Sequence, residues 1–328
     1  MTIASTYAGY RGESEASYVA DRIKTERIEV TVCICTFRRP SVLHAIGSVA
    51  GQKLPNELSL RILVIDNDDA PTARNMISDY YTATGISVDY RHAPSRNISI
   101  ARNAALDVAE TPWVAFIDDD EHASATWLAN LWAARSGANA VFGPCQAIYH
   151  ESTHFWIKGG DYHSNRIPED KRPIKTGYTS NVLLDMRFVR QHSLRFDTAL
   201  GRTGGEDTIF FHAMYRNGGV LTYAPDAIVY EDVPLSRTNL RWIVIRRYRA
   251  GQVYAMMFYR FDRTTYRRVS WAAPLNVAVC AAMSVAMAFN PSRAMWWLMR
   301  GTLHCGVLSY AFGLDIHEEY GTSDTAGD

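Results

Sequence analysis

The chain has 328 residues, 47% of them apolar, and a formal net charge of zero. That length suits one large α/β domain plus an appendage, with apolar material for a sizeable core, and the neutral balance argues against a protein coated by nucleic acid. The five cysteines (Cys33, Cys35, Cys145, Cys280 and Cys305) include no CxxC pair, so they read as free thiols of a reducing compartment and not as metal ligands.

Residues 1–27 are polar and charged with no apolar h-region, which predicts a poorly ordered lead-in and no secretory signal. Regular patterning then begins. Ile28–Thr36 is a β-branched apolar run and predicts a buried strand. Pro40 fits the first turn of a helix with Val42, Ile46 and Val49 on one face. Leu58–Ile65 predicts a second strand, ending in Asp66-Asn67-Asp68-Asp69, and Thr72–Thr82 a second helix. A third strand is expected over Ile86–Tyr90 and a third helix over Ile100–Ala109. Trp113–Ile117 follows as a strand that ends in Asp118-Asp119-Asp120-Glu121, then a helix over Thr126–Ala134 and a strand over Ala140–Phe142. This alternation implies βαβ units and a mainly parallel sheet, in which ligands sit beyond the carboxyl ends of the strands. Two successive strands end in acids, so their carboxylates are expected to share one crevice.

The stretch 150–234 is less regular, with strand-like pieces at Ser180–Leu184 and Ala227–Tyr230 and a helix over Thr208–Tyr215 after Gly204-Gly205-Glu206-Asp207. It is expected to build the second half of a cleft. Arg237 to Arg268 then holds nine arginines and one acid, Asp262, a local charge of +8 that the remainder offsets with −8. Such a block suits phosphate groups or an anionic lipid surface. Val269 to Ser292 carries no charge, and a second apolar stretch to Leu314 is broken by Arg300 and His304. Trp271, Trp296 and Trp297 suit a membrane interface. A helical hairpin in or dipping into the membrane is the expectation here, ahead of a soluble helical pair or one true span.

Four motifs carry candidate chemistry, and each has an ordinary structural explanation too. Asp118 to Glu121 would repel one another unless neutralised, which a hard divalent cation does well; the alternative is a solvated turn capping the next helix. Gly204 and Gly205 permit a sharp turn, and the paired Glu206 and Asp207 either supply a general base or complement a helix dipole. Arg102 and Asn103 open a helix and suit phosphate or ribose hydroxyls, or lie on the surface. Arg246, Arg247 and Arg249 either neutralise a diphosphate or form a solvated basic face.

Val32–Pro40, Val64–Asn67, Ala101–Leu106, Phe116–Asp120 and Gly204–Asp207, in this order and spacing, resemble the family 2 inverting glycosyltransferases of GT-A fold. With Asn97–Leu106, Thr176–Asn181 and Arg246–Gly251, the closer resemblance is to rhizobial succinoglycan-type exopolysaccharide glucosyltransferases. The resemblance implies an α/β GT-A domain over 28–262, with a mainly parallel mixed central sheet flanked by helices. Residues 263–328 would follow as a basic and apolar helical membrane-association segment. It implies a UDP-sugar donor, a lipid-diphosphate-linked oligosaccharide acceptor and Mn²⁺ or Mg²⁺, at the cytoplasmic face of a bacterial inner membrane. Thr36, Phe37, Arg39, Asp66 and Asn67 would line the nucleoside pocket, and Arg102 and Asn103 would lie near ribose or diphosphate. Asp118 and Asp119 would meet the nucleotide sugar, and Asp120 with Asp118 would hold the metal. Asp207, beside Glu206, would be the base; Asn181, Arg246, Arg247 and Arg249 would face diphosphate or acceptor. Tyr230 stands where family members often carry a metal-side histidine, and Glu231 is the adjacent substitute. A nucleotidyltransferase would need a glycine-rich loop at Thr36–Pro40, and a dinucleotide oxidoreductase GxGxxG; neither is present. A catalytically degenerate scaffold would not need Asp118, Asp120 and Asp207.

Overall fold

The computed structural model describes residues 27–168 and 173–316; the expected lead-in, but for Arg27, lies outside them. Strand β1 (Ile28–Thr36) is an inner strand of the main sheet. Its even residues Val30, Val32 and Ile34 pack with Val42, Ile46 and Val49 of helix α1 (Val42–Ala50). Its odd residue Cys33 joins Leu63 and Ile65 of β2 (Leu58–Asp66) in a second core on the opposite face. The period of two thus feeds two helical layers from one strand. All five cysteines are free thiols.

Seven strands form the main sheet. In spatial order they are β3 (Asp89–His92), β2, β1, β4 (Trp113–Asp118), β8 (Asn181–Asp185), β6 (Ala140–Phe142) and β9 (Leu221–Tyr223). β1 to β4 run parallel and β8 lies antiparallel to both β4 and β6, so the sheet is mixed. Helices α2 (Thr72–Thr84), α3 (Ile98–Val108) and α4 (Trp127–Ala133) cover its faces. A small second sheet pairs β5 (Glu121–Ala123), β10 (Val229–Val233) and β7 (Cys145–Tyr149). Further short helices are α5 (Phe155–Gly160) and α6 (Met186–Gln191), followed by α7 (Glu206–Arg216).

Several boundaries move from their expected places for local reasons. The third strand begins at Asp89, because residues 86–88 carry the chain from the end of α2 at Gly85 back to the edge of β2. Helix α3 starts at Ile98, since the Asn97 side chain accepts from the Ile100 backbone N–H. Helix α7 starts at Glu206, directly after left-handed Gly205, so both acids lie in its first turn. β5 was not expected; only three residues long, it pairs with β10 through Tyr230↔His122 and Glu231↔Glu121.

The chain ends in three long helices: α8 (Leu240–Phe261), α9 (Arg263–Ala286) and α10 (Pro291–Ala311). Ser284 Oγ donates to the Ala294 carbonyl across the α9–α10 turn, so these two form an antiparallel hairpin. Gln252 Nε2 donates to Ser309 Oγ, fixing α8 alongside α10. The two backbones touch there: a Cβ on Gly251 would lie 1.9 Å from the Leu303 carbonyl oxygen, and one on Gly306 1.9 Å from that of Tyr248.

Asn181, fully buried at the start of β8, ties the two sheets together. Its Oδ1 accepts from Trp127 Nε1 at 2.8 Å, and its Nδ2 donates to the carbonyls of Pro144 at 2.9 Å and Ala227 at 2.7 Å. Asn181→Ala leaves the Trp127 indole N–H and the Ala227 carbonyl without this partner, while the Pro144 carbonyl keeps the Val229 N–H, and is expected to cost about 3 kcal/mol, read as a lower urea midpoint at unchanged slope. An unchanged midpoint would show that water replaces the amide at no cost.

Candidate active site

Parallel pairing sets the site. β1 lies between β2 and β4 in a register that pairs Thr36 with Asp66 and Cys35 with Asp118. The acidic ends of β2 and β4 therefore open on one edge, as expected for ligand sites in such sheets. A cavity of about 110 Å³ lies there, lined by Thr36, Phe37, Arg39, Asn67, Arg96 and Asp119.

Within it, Thr36 Oγ1 donates to Asp119 Oδ2 at 2.7 Å. Arg39 Nη1 donates to Asp119 Oδ1 at 2.9 Å and to Asp120 Oδ2 at 2.8 Å. Burial pushes the Asp119 carboxyl up to about 6, against the pull of Arg39. Asn67 accepts from Ser95 Oγ and keeps its place on the wall. Arg96, absent from the residues singled out by sequence, stands there in a left-handed backbone conformation and pairs with Asp69.

Arg102 is the second centre. It projects from α3 and is buried, with its guanidinium pairing with Glu206 at the start of α7 and lying 3.7 Å from Asp118 Oδ1. Burial raises the Glu206 carboxyl to about 7 although Arg102 draws it down, and Asp207 next to it raises it further. Asp118 is raised by burial, with Arg102 opposing and Asp120 adding to the shift. Asp207 is raised by burial as well; its Oδ1 accepts from the Thr208 backbone N–H and hydroxyl. Gly204 and Gly205, at φ 79° and 91°, make the turn that delivers both acids, a backbone that other residues rarely adopt.

The third group is on β10. Tyr230 stacks on the His122 ring at 5.3 Å, away from the acids. Glu231 accepts from Arg237 Nη1 at 3.0 Å, and that same nitrogen lies 3.7 Å from Asp120 Oδ2. Burial and then Asp120 raise the Glu231 carboxyl. Of the two alternatives at this position, Glu231 is therefore the one beside Asp120. Arg237 was visible only as part of the basic block; its role depends on the turn between β10 and α8. Arg246 lies over the Trp242 ring at 5.2 Å and pulls electrostatically on Glu231.

Five of the expected site residues have partners within the protein. Asn181 spends its amide inside the core. Asn103 Nδ2 donates to the Phe196 carbonyl and its Oδ1 accepts from the Phe196 N–H, so it clamps backbone and does not face a nucleotide. Asp66 is fully buried behind the cavity; its oxygens accept from the N–H groups of Asp68 and Ala73 and from Tyr90 Oη. Arg249 is buried and donates to the Thr203 carbonyl at 2.6 Å, holding the glycine loop instead of an acceptor. Arg247 packs over the Tyr162 ring at 5.5 Å beside Arg246.

Carboxylates crowd this crevice, and hard oxygen donors at Asp118, Asp120 and Glu231 fit Mn²⁺ or Mg²⁺. Among the described residues no three such side chains form a ready-made cage. That suits ions that take one or two carboxylates and complete their shell from substrate phosphates.

Arg102→Met removes the charge that Asp118, Glu206 and Asp207 share. It is expected to cost about 3–5 kcal/mol at pH 7.5. Glu206, its pKa already raised, would rise further in the variant, so the deficit should shrink as pH falls through that raised value. Urea denaturation between pH 5 and 8 checks this; a pH-independent deficit would refute the electrostatic account.

A glycosyl transferase family 2 model matches residues 31–194. The chain is 36% identical over 304 residues to the succinoglycan biosynthesis protein ExoM of Rhizobium meliloti, covering 91% of this chain and 98% of that protein. It is 24% identical over 230 residues to the pre-mycofactocin glycosyltransferase of Mycobacterium tuberculosis, covering 65% of this chain and 46% of that one. Among solved structures, a mannosyltransferase from Pyrobaculum calidifontis, in complex with GDP-Man and Mn²⁺, shares the fold at a TM-score of 0.62 and 17% identity, over 88% of each chain. The family match and a relative of this identity across nearly the whole length place the chain in glycosyl transferase family 2, as a glycosyltransferase of GT-A-like fold.

Proposed function

We propose that the enzyme moves a hexose, glucose, from a UDP-sugar to a hydroxyl of a lipid-diphosphate-linked oligosaccharide, with inversion, during exopolysaccharide assembly. The observation that carries this reading is the Arg102 bridge, which sets the donor-side Asp118 and the α7 acids Glu206 and Asp207 in one crevice. The name of the 36%-identical relative supports the pathway, and the relative with GDP-Man supports a nucleotide-sugar donor in general.

In this reading Thr36, Phe37, Arg39 and Asn67 seat the nucleoside at the cavity. Asp118 and Asp120, with Glu231 beside them, would hold Mn²⁺ or Mg²⁺, which supplies charge neutralisation for the departing diphosphate. Asp207 takes the proton of the acceptor hydroxyl. The acceptor hydroxyl oxygen then bonds to the anomeric carbon from the face opposite the phosphate, the bond from that carbon to the phosphate oxygen breaks with its electron pair, and UDP leaves. Arg237 and Arg246 lie where added negative charge on the diphosphate would be met. Residues 28–262 would form the transferase domain. Residues 263–328 would hold it at the cytoplasmic face of the inner membrane, against anionic lipid.

Asp207→Asn should lower transfer by roughly 10²–10⁴-fold, while UDP affinity with Mn²⁺ stays nearly unchanged. Wild-type turnover in this variant would refute the base assignment. In the wild type, burial raises the Asp207 carboxyl and the base must be ionised. The acid limb of kcat/KM should therefore lie above the ordinary aspartate range, and a limb within that range would count against Asp207. Calorimetry with UDP, GDP and CMP should show tight binding for UDP alone, and only with Mn²⁺. Equal UDP binding without metal would remove the metal from the reading.

A further inference from the structure

We propose that the outward face of the α9–α10 hairpin docks on an anionic lipid bilayer, with α9 lying in the plane of that bilayer instead of crossing it. The proposal rests on the membrane reading above and adds the face and the orientation.

Among the described residues, α9 alone is long and apolar enough to cross a membrane by length and composition. Its inner face is taken: Ala273 and Cys280 are buried within the helical unit. The outer face is bare. Trp271 is 85% exposed, Leu275 69%, Val285 76% and Phe289, just beyond the helix, 81%, with Val279 exposed between them. These side chains recur at near-helical spacing and make an apolar stripe roughly 27 Å long at 1.5 Å per residue. A face of this size with no charged residue marks an interaction surface.

Charge selects the occupant. From Arg263 to Leu314 the chain has five arginines and no acidic residue. Arg263, Arg267, Arg268, Arg293 and Arg300 are all exposed, so they border the stripe. A second copy of the chain would bring two such cationic faces together, whereas anionic headgroups neutralise one. Beside the stripe a cleft of about 420 Å³ gathers Arg268, His304, Tyr254, Thr265 and Asn276, donors suited to a phosphodiester.

Orientation follows from Arg300. It stands near the middle of α10, next to Gly301, which packs on Cys280 in α9. A hairpin inserted end-on would carry that guanidinium to the hydrocarbon centre, where charge is costly. Lying flat, the stripe enters the acyl boundary and the arginines reach the phosphates.

The test is co-sedimentation of the full chain with vesicles of phosphatidylcholine alone or mixed with phosphatidylglycerol. Binding is expected only to the mixed vesicles, weakened by salt and stripped by alkaline carbonate. Leu275→Glu combined with Val279→Glu should weaken it on the order of tenfold or more, since it puts charge on the inserted face. Both positions are exposed, so unchanged UDP binding should confirm an intact fold. Arg268→Gln should weaken binding to the mixed vesicles several-fold. Equal binding to neutral vesicles would overturn the anionic selection, and resistance to carbonate would overturn the in-plane orientation. A concentration-dependent dimer with no vesicle binding would overturn the bilayer as occupant. Transfer to a water-soluble acceptor reads the sugar chemistry separately, so its failure and this one remain distinguishable.

Discussion

Arg102 keeps a full positive charge inside the protein because Asp118 and Glu206 meet it there, and the burial that would otherwise discharge it instead strengthens both attractions. The two acids come from opposite halves of the fold, β4 and α7. Neither half can move without exposing an unpaired buried charge. One guanidinium therefore holds Asp118 and the acids of α7 at a set distance, which is the positioning that the proposed transfer would need.

The crevice remains over-supplied with negative charge. Among the described residues, Asp118, Asp119, Asp120, Glu206, Asp207 and Glu231 are met by Arg39, Arg102, Arg237 and, at longer range, Arg246. Burial raises the carboxyls of Asp118, Asp119, Glu206, Asp207 and Glu231, and neighbouring acids add to the rise at all of them but Asp207. In the proposed reading a divalent ion would offset this negative charge and make room for the anionic diphosphate of the donor. Arg39 and Arg237 already grip Asp120, so the same arginines that quiet the acids are placed to turn toward phosphate.

Much of this was legible in the residues because it rests on period and strand ends. The alternation of Ile28–Thr36, the acids closing Leu58–Asp66 and Trp113–Asp118, and the glycines before Glu206 need no tertiary information. The partners that spacing does not reveal share a cause. Asn181, Asn103, Asp66 and Arg249 are polar residues in the right motifs whose partners are backbone groups far away in sequence. Spacing does not reveal that Asn103 meets Phe196 or that Asn181 meets Pro144 and Ala227. Glu231 against Tyr230 was undecidable for the same reason: the choice depends on which side of β10 faces β4, and β5, which sets that register, is three residues long.

The helical unit is coupled to the catalytic loop through α8. Arg249 holds the Thr203 carbonyl, and Val253 packs so closely on Gly205 that a Cβ there would come within 2.8 Å of its methyl groups. Gly205 is thus constrained twice, by its left-handed backbone and by contact with α8. One face of α8 sets the loop that presents Asp207. Another face meets α10 at the Gly251–Gly306 crossing, where only absent side chains allow the backbones to touch. A displacement of the hairpin on its lipid-facing side therefore has a short, stiff route to the loop: α10 to α8 by backbone contact, and α8 to Gly205 by Val253 and Arg249. Close packing resists gradual deformation, so the loop holds the geometry that the helical unit imposes. The position of Asp207 is in this sense a property of the C-terminal helices as much as of the sheet that carries Asp118.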